Sequence, residues 1–103
     1  MYAFEQDVPI NAEVHARILE GLGDEPPAGL IAHIALERED GHLYYLDLWN
    51  SRDDCDRFTR DRLHPVVSGA LTAAGIQVGQ EPPRRDAVVV DLWGPGLPRP
   101  AAV

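Results

Sequence analysis

The sequence predicts an α+β domain in the ferredoxin-like order β-α-β-β-α-β, with four antiparallel strands and both helices on one face. Three observations carry this. Segments rich in aliphatic and aromatic residues fall at 2–8, 30–38, 43–49 and 87–93. Apolar residues at helical spacing fill two of the intervals between them. The remaining interval holds Asp40-Gly41, a strong signal for a tight hairpin.

The first strand, YAFEQDV (2–8), alternates loosely and ends at Pro9. Asn11 is a good N-cap because its side-chain oxygen can take an unpaired N–H of the first turn. Val14, Ile18, Leu19 and Leu22 then mark a helix, which Gly21 and Gly23 close. GDEPPAG (23–29) reads as a rigid loop. LIAHIALER (30–38) and LYYLDLW (43–49) form the hairpin around EDGH. Ser51 with Asp54 is a short capping box, so a helix should start there. Cys55, Phe58, Leu63, Val66, Val67, Ala70, Leu71 and Ala74 continue its apolar stripe. Pro65 disfavours helical geometry at His64, which predicts a kink or two short helices in tandem. Gly75 stops the second piece, and 77–86 reads as a loop. AVVVDLW (87–93) is the fourth strand. One domain therefore spans 1–94, followed by a Pro-rich tail over 95–103.

Composition narrows the function. At 103 residues the chain supports one core. The net charge of −8 argues against nucleic acid and against anionic membrane surfaces, since phosphate binding needs clustered basic groups. No apolar run reaches the roughly 20 residues of a membrane span, and no signal peptide is read at the start. The single Cys55 excludes an internal disulfide; it reads as a small buried hydrophobe in a cytoplasmic protein.

Two rhyming segments, LDLWNS (46–51) and VDLWGP (90–95), each place an Asp inside an apolar strand with a Trp two residues on. Strand alternation divides the sheet into two sets. The uniformly apolar set, Ala32, Ile34, Leu36, Leu46, Leu48, Val88, Val90 and Leu92, is expected under the helices. The other set holds His33, Tyr45, Asp47, Trp49, Asp91 and Trp93, and is expected to face the same surface of a second copy across a two-fold axis.

With WNSRDDCDRF (49–58) at the strand-to-helix junction, this order resembles the dimeric α/β-barrel superfamily, which includes the antibiotic-biosynthesis-monooxygenase-like proteins. Trp49 closing a strand, Ser51 capping a helix and Phe58 further along it match the pattern. The resemblance implies a homodimer whose two sheets form one barrel. It also implies, for some members, cofactor-free oxygenation of phenolic or anthrone-like substrates. Haem-degrading members pair an Asn of the first strand with a Trp and a His; here that strand carries Gln6, and no cofactor is expected.

A buried carboxylate without a partner costs several kcal/mol. His33 is placed to contact Asp47, giving a base of fixed tautomer. His33 and Asp47 are thus the candidate catalytic pair. Tyr45, Trp49, Asp91 and Trp93 are the candidate binding residues for a small aromatic molecule. In the alternative, these groups only hold an interface together and the protein is a non-catalytic ligand-binding or structural dimer. His15 and His42 read as exposed helix and turn residues, and no local spacing supports a metal site.

Overall fold

A computed structural model describes residues 1–98; of the tail, 99–103 lie outside the described residues. The elements run β1 (Tyr2–Val8), α1 (Ala12–Leu22), β2 (Leu30–Glu37), β3 (Leu43–Trp49) and α2 (Arg52–Phe58). A π-helical turn over Thr59–Leu63, α3 (His64–Ala73) and β4 (Arg85–Ala87) follow. The strands lie in the order β2-β3-β1-β4, each pair antiparallel, which is the ferredoxin-like arrangement. No helix among the described residues is long and apolar enough to cross a membrane.

Local chemistry explains the element ends. Asn11 accepts the Val14 N–H at 2.9 Å and starts α1; Ser51 accepts the Asp54 N–H at 3.1 Å and starts α2. Gly23 ends α1 at φ 79°, a conformation that a side chain would resist. Gly21 has a different role. A Cβ there would lie 2.7 Å from Val66 Cγ1, so its bare backbone lets α3 approach α1 closely.

The helical run after β3 is divided in two, as expected ahead of Pro65: α2 and α3 follow in tandem, joined by the π turn. His64 is helical, at φ −57° and ψ −45°, and its N–H reaches back to Thr59 across one π turn. The wider turn absorbs the irregularity ahead of Pro65, which then sits in the first turn of α3 where a missing N–H is tolerated.

The fourth strand falls over 85–87, not 87–93. Its register pairs Glu5 with Arg85 and Ala3 with Ala87. Arg85 also binds Glu5 at 3.2 Å and Asp7 at 2.9 Å. With Ala87 already opposite Ala3, the Val88–Val90 run passes the beginning of β1 and has no length of strand to pair with. Val88 and Val90 are accordingly 86% and 84% exposed.

The face assignment is also corrected. The helices cover the set containing His33, Tyr45, Asp47 and Trp49, not the uniformly apolar set. Tyr45 meets His15 of α1, and Trp49 packs with Cys55 and Phe58 of α2. β1 decides this. Glu5 and Asp7 need water and Arg partners, so Phe4 and Gln6 turn toward the helices. The register then places Phe4 opposite Asp47 and Gln6 opposite Tyr45. Ala32, Ile34, Leu36, Leu46 and Leu48 lie on the opposite face, rimmed by ion pairs of Asp7 with Arg38 and Arg85.

Two apolar clusters flank the middle of the helix-covered layer. Ile10, Val14, Ile18 and Leu43, with residues of α3 against them, form one. Phe4, Trp49 and Cys55, with Tyr2, Leu30 and Phe58, form the other.

Candidate functional site

Between the two clusters the layer opens into a cavity of about 220 Å³. Its floor is the sheet: Phe4 and Gln6 of β1, His33 of β2, and Tyr45, Asp47 and Trp49 of β3. α1 roofs it with His15, Ile18, Leu19 and Leu22. Cys55, Phe58 and the π turn close one side, and the 23–27 loop forms part of the wall. A cavity of about 150 Å³ holds one benzene, so this one has room for a single substituted ring.

The polar floor is organised around Asp47, which is 8% exposed. One carboxylate oxygen accepts from His33 Nδ1 at 2.6 Å; the other accepts from the Trp49 indole N–H at 3.1 Å. The desolvation cost of the carboxylate is thereby offset by two hydrogen bonds, one of them short. An ionised carboxylate only accepts, so the His33 hydrogen sits on Nδ1 and Nε2 carries a lone pair. No other hydrogen bond to the His33 ring is made among the described residues. Its side chain is 29% exposed, so Nε2 is a base with an assigned orientation and access to a ligand.

Tyr45 lies edge-on to His33 with ring centroids 4.8 Å apart, and its hydroxyl meets His15 Nδ1 at 2.7 Å. Burial, and then the charge of Asp47, push the Tyr45 phenol well above its ordinary range. It stays protonated and can donate a hydrogen bond. Burial, and then the neighbouring His33, lower the His15 pKa, which favours the neutral ring. Gln6 is tied to the Pro82 carbonyl at 2.7 Å. Arg84, 13% exposed in its side chain, binds Asp56 at 2.8 Å and Thr59 at 3.1 Å.

Four of the six predicted site residues thus share one cavity: His33, Tyr45, Asp47 and Trp49. Trp49 is 2% exposed and has a double role, as a wall against Phe58 and as a donor that helps fix Asp47. Asp91 and Trp93 do not join them. They follow the short β4 and bond each other, the Trp93 indole N–H donating to Asp91 at 2.6 Å. The strand that was to carry them to the site ends at Ala87.

Sequence reasoning missed His15, Gln6 and Arg84. For His15 the signal was present. Positions 15, 18, 19 and 22 are i, i+3, i+4 and i+7, the spacing of a single helix face. His15 therefore belongs to the stripe that reaches the cavity. Arg84 had no comparable signal, because it lies in a loop whose course the pattern does not fix.

Among the described residues, no group of three His, Cys, Asp or Glu side chains is placed to hold a metal ion. No family model matches the chain, and no curated protein matches it.

Proposed function

We propose that this protein binds a small phenolic or quinol-like molecule in the cavity between sheet and helices, and acts on it as a cofactor-independent monooxygenase. The observation that supports this most is the His33–Asp47 contact of 2.6 Å at an apolar cavity, with His33 Nε2 left for a ligand. The resemblance at residues 49–58 to the antibiotic-biosynthesis-monooxygenase-like proteins of the dimeric α/β-barrel superfamily points the same way.

The chemistry needs only dioxygen as co-reactant. His33 removes one proton from the substrate, from a phenolic or enolic hydroxyl or from the activated methylene of its keto form, and Asp47 stabilises the imidazolium. The same anion results from either tautomer; delocalised over the ring, it passes an electron to dioxygen. The radical pair then joins as a C–O bond, giving a peroxide anion that takes the proton back from His33. His33 next removes the remaining C–H proton, the O–O bond breaks, and the departing hydroxide takes that proton as water. One methylene and one dioxygen thus become one carbonyl and one water. Tyr45 and Trp49 border the ring.

The proposed assembly is a homodimer in the cytoplasm. Its occupant for the open sheet face is a second copy of this chain. The support is a block of aliphatic side chains with Ile34 44% exposed and an ionic rim formed by Asp7, Arg38 and Arg85. Two copies facing each other would bury the block and leave the rim wet, the usual anatomy of an interface.

Oxygen uptake with an anthrone or quinol tests the enzyme reading. The wild type should consume oxygen, and His33→Ala should lose roughly a hundredfold or more. Equal turnover by the two proteins refutes it. The fully paired Asp47 favours a second reading, a non-catalytic binder. Saturable binding of the same compound without oxygen uptake would decide for that one. Sedimentation tests the dimer: Ile34→Glu should convert it to monomer, and a monomeric wild type refutes it.

A further inference from the structure

The tautomer of His33 is set by Asp47; that of His15 is set by Tyr45. A phenol hydroxyl has one hydrogen to give, and among the described residues the Tyr45 hydroxyl makes one hydrogen bond, to His15 Nδ1 at 2.7 Å. Given to His15, that hydrogen makes Nδ1 the acceptor; the reverse, an Nδ1–H donating to the phenol oxygen, would leave the part-buried phenol hydrogen without a partner among the described residues. A neutral imidazole with an accepting Nδ1 carries its own hydrogen on Nε2. The lowered pKa of His15, caused first by burial and then by His33, agrees with a neutral ring.

The two rings are stacked, with centroids 5.9 Å apart and planes at 19°. Both line the cavity. One therefore offers an Nε2 lone pair and the other an Nε2 hydrogen. Two hydrogen bonds of about 2.8 Å meeting on one hydroxyl oxygen place their nitrogens roughly 4.5–5 Å apart. The 5.9 Å between ring centroids is of that order.

We propose that His15 is a second functional residue of the cavity: it donates its Nε2 hydrogen to the same oxygen that His33 deprotonates, so the site takes an aromatic hydroxyl compound and holds it as the anion. This rests on the reading of the cavity as the ligand site. The proton leaves the ligand oxygen for His33 Nε2, and Asp47 lies against the imidazolium so formed. The oxyanion then accepts from both rings. No charge enters or leaves the cavity.

The pair selects among hydroxyl compounds. An aliphatic alcohol is far too weak an acid to yield its proton to an imidazole. A carboxylic acid arrives already ionised and meets a lone pair on His33, with Asp47 behind it. A phenol or enol has a proton to give and an acidity near the required range. Its flat ring suits walls made of Phe4, Ile18, Leu22, Trp49 and Phe58.

4-Nitrophenol is the probe, because its neutral and ionised forms absorb at different wavelengths. Titrated with full-length protein below the pKa of the free probe, it should bind in the ionised form. His15→Phe should reduce the bound anion roughly ten- to a hundredfold, the worth of a hydrogen bond to a charged group. His15→Gln, which restores an amide N–H, should recover part of it. Long-range 1H–15N spectra of the unliganded wild type should show Nε2–H on His15 and Nδ1–H on His33; this holds whether or not the Phe variant folds. An unchanged bound spectrum in a folded His15→Phe, or an Nδ1–H tautomer on His15, overturns the role of His15 while leaving the cavity as a site. Failure of the wild type to bind the probe overturns both.

Discussion

Replacing Asp47 with Asn and with Ala separates its structural from its chemical role. Asn keeps the shape. The Trp49 indole can only donate, so the Asn oxygen must face it and the amide N–H₂ must face His33. His33 Nδ1 then has to accept, and its hydrogen moves to Nε2. The cavity loses its base while the fold keeps both hydrogen bonds. Exchanging two charge-assisted bonds for neutral ones costs about 1–2 kcal/mol, which lowers Tm by roughly 4–16 °C in a domain of this size. Ala leaves the Trp49 N–H buried without an acceptor, at about 1–3 kcal/mol. The loss at His33 is smaller, because a side chain 29% exposed can turn to water. The sum is about 2–4 kcal/mol, a large part of the stability of a typical domain. Denaturant melts rank the variants, and long-range 1H–15N spectra report the tautomer. Asp47→Asn should be the more stable of the two and should carry its His33 hydrogen on Nε2. Equal destabilisation by the two substitutions, or a His33 that keeps Nδ1–H in Asp47→Asn, would refute the reasoning.

Burial raises the Cys55 thiol pKa, and the residue is 1% exposed, so iodoacetamide at neutral pH should label it only under denaturing conditions; labelling of the folded chain at the rate of a free thiol contradicts this. Gly21→Ala gains about 1 kcal/mol of helix propensity but places a methyl against Val66, a clash of about 1–3 kcal/mol. Its cost should shrink by about 1 kcal/mol when Val66 is also Ala, and strict additivity in urea melts would show that α1 and α3 do not meet there. The depressed His15 pKa means that below about pH 6.5 the unfolded chain takes up a proton that the folded one refuses. Stability should therefore fall as pH drops from about 6.5, and level off below the folded pKa of His15. His15→Phe should flatten that slope in Tm measured from pH 7 to 5, and an unchanged slope would place the acid sensitivity elsewhere.

Three of the four strands, the start of both helical runs and the hairpin were legible because each depends on chemistry within a few residues. Asn11 and Ser51 cap their own helices, and alternation marks β1, β2 and β3. The pairing of His33 with Asp47 was legible too, because a hairpin of known turn fixes which residues lie opposite each other. The fourth strand was not. VVVDLW has the composition of a strand, but pairing needs a partner of sufficient length, and β1 runs out at Tyr2.

The sequence by itself determined the order of elements, where most of them begin, and which side chains share a face of each strand, because backbone periodicity and capping are local. Only the tertiary structure decided which face the helices cover. That choice depends on Glu5 and Asp7 in a central strand, which find Arg38 and Arg85 on the open side. It sends Asp47 and His33 inward to pair with each other, and it brings His15, thirty residues from Tyr45 along the chain, to within a hydrogen bond of it. Burial of charge is settled by partners in space, and those partners come from elements that the chain does not place side by side.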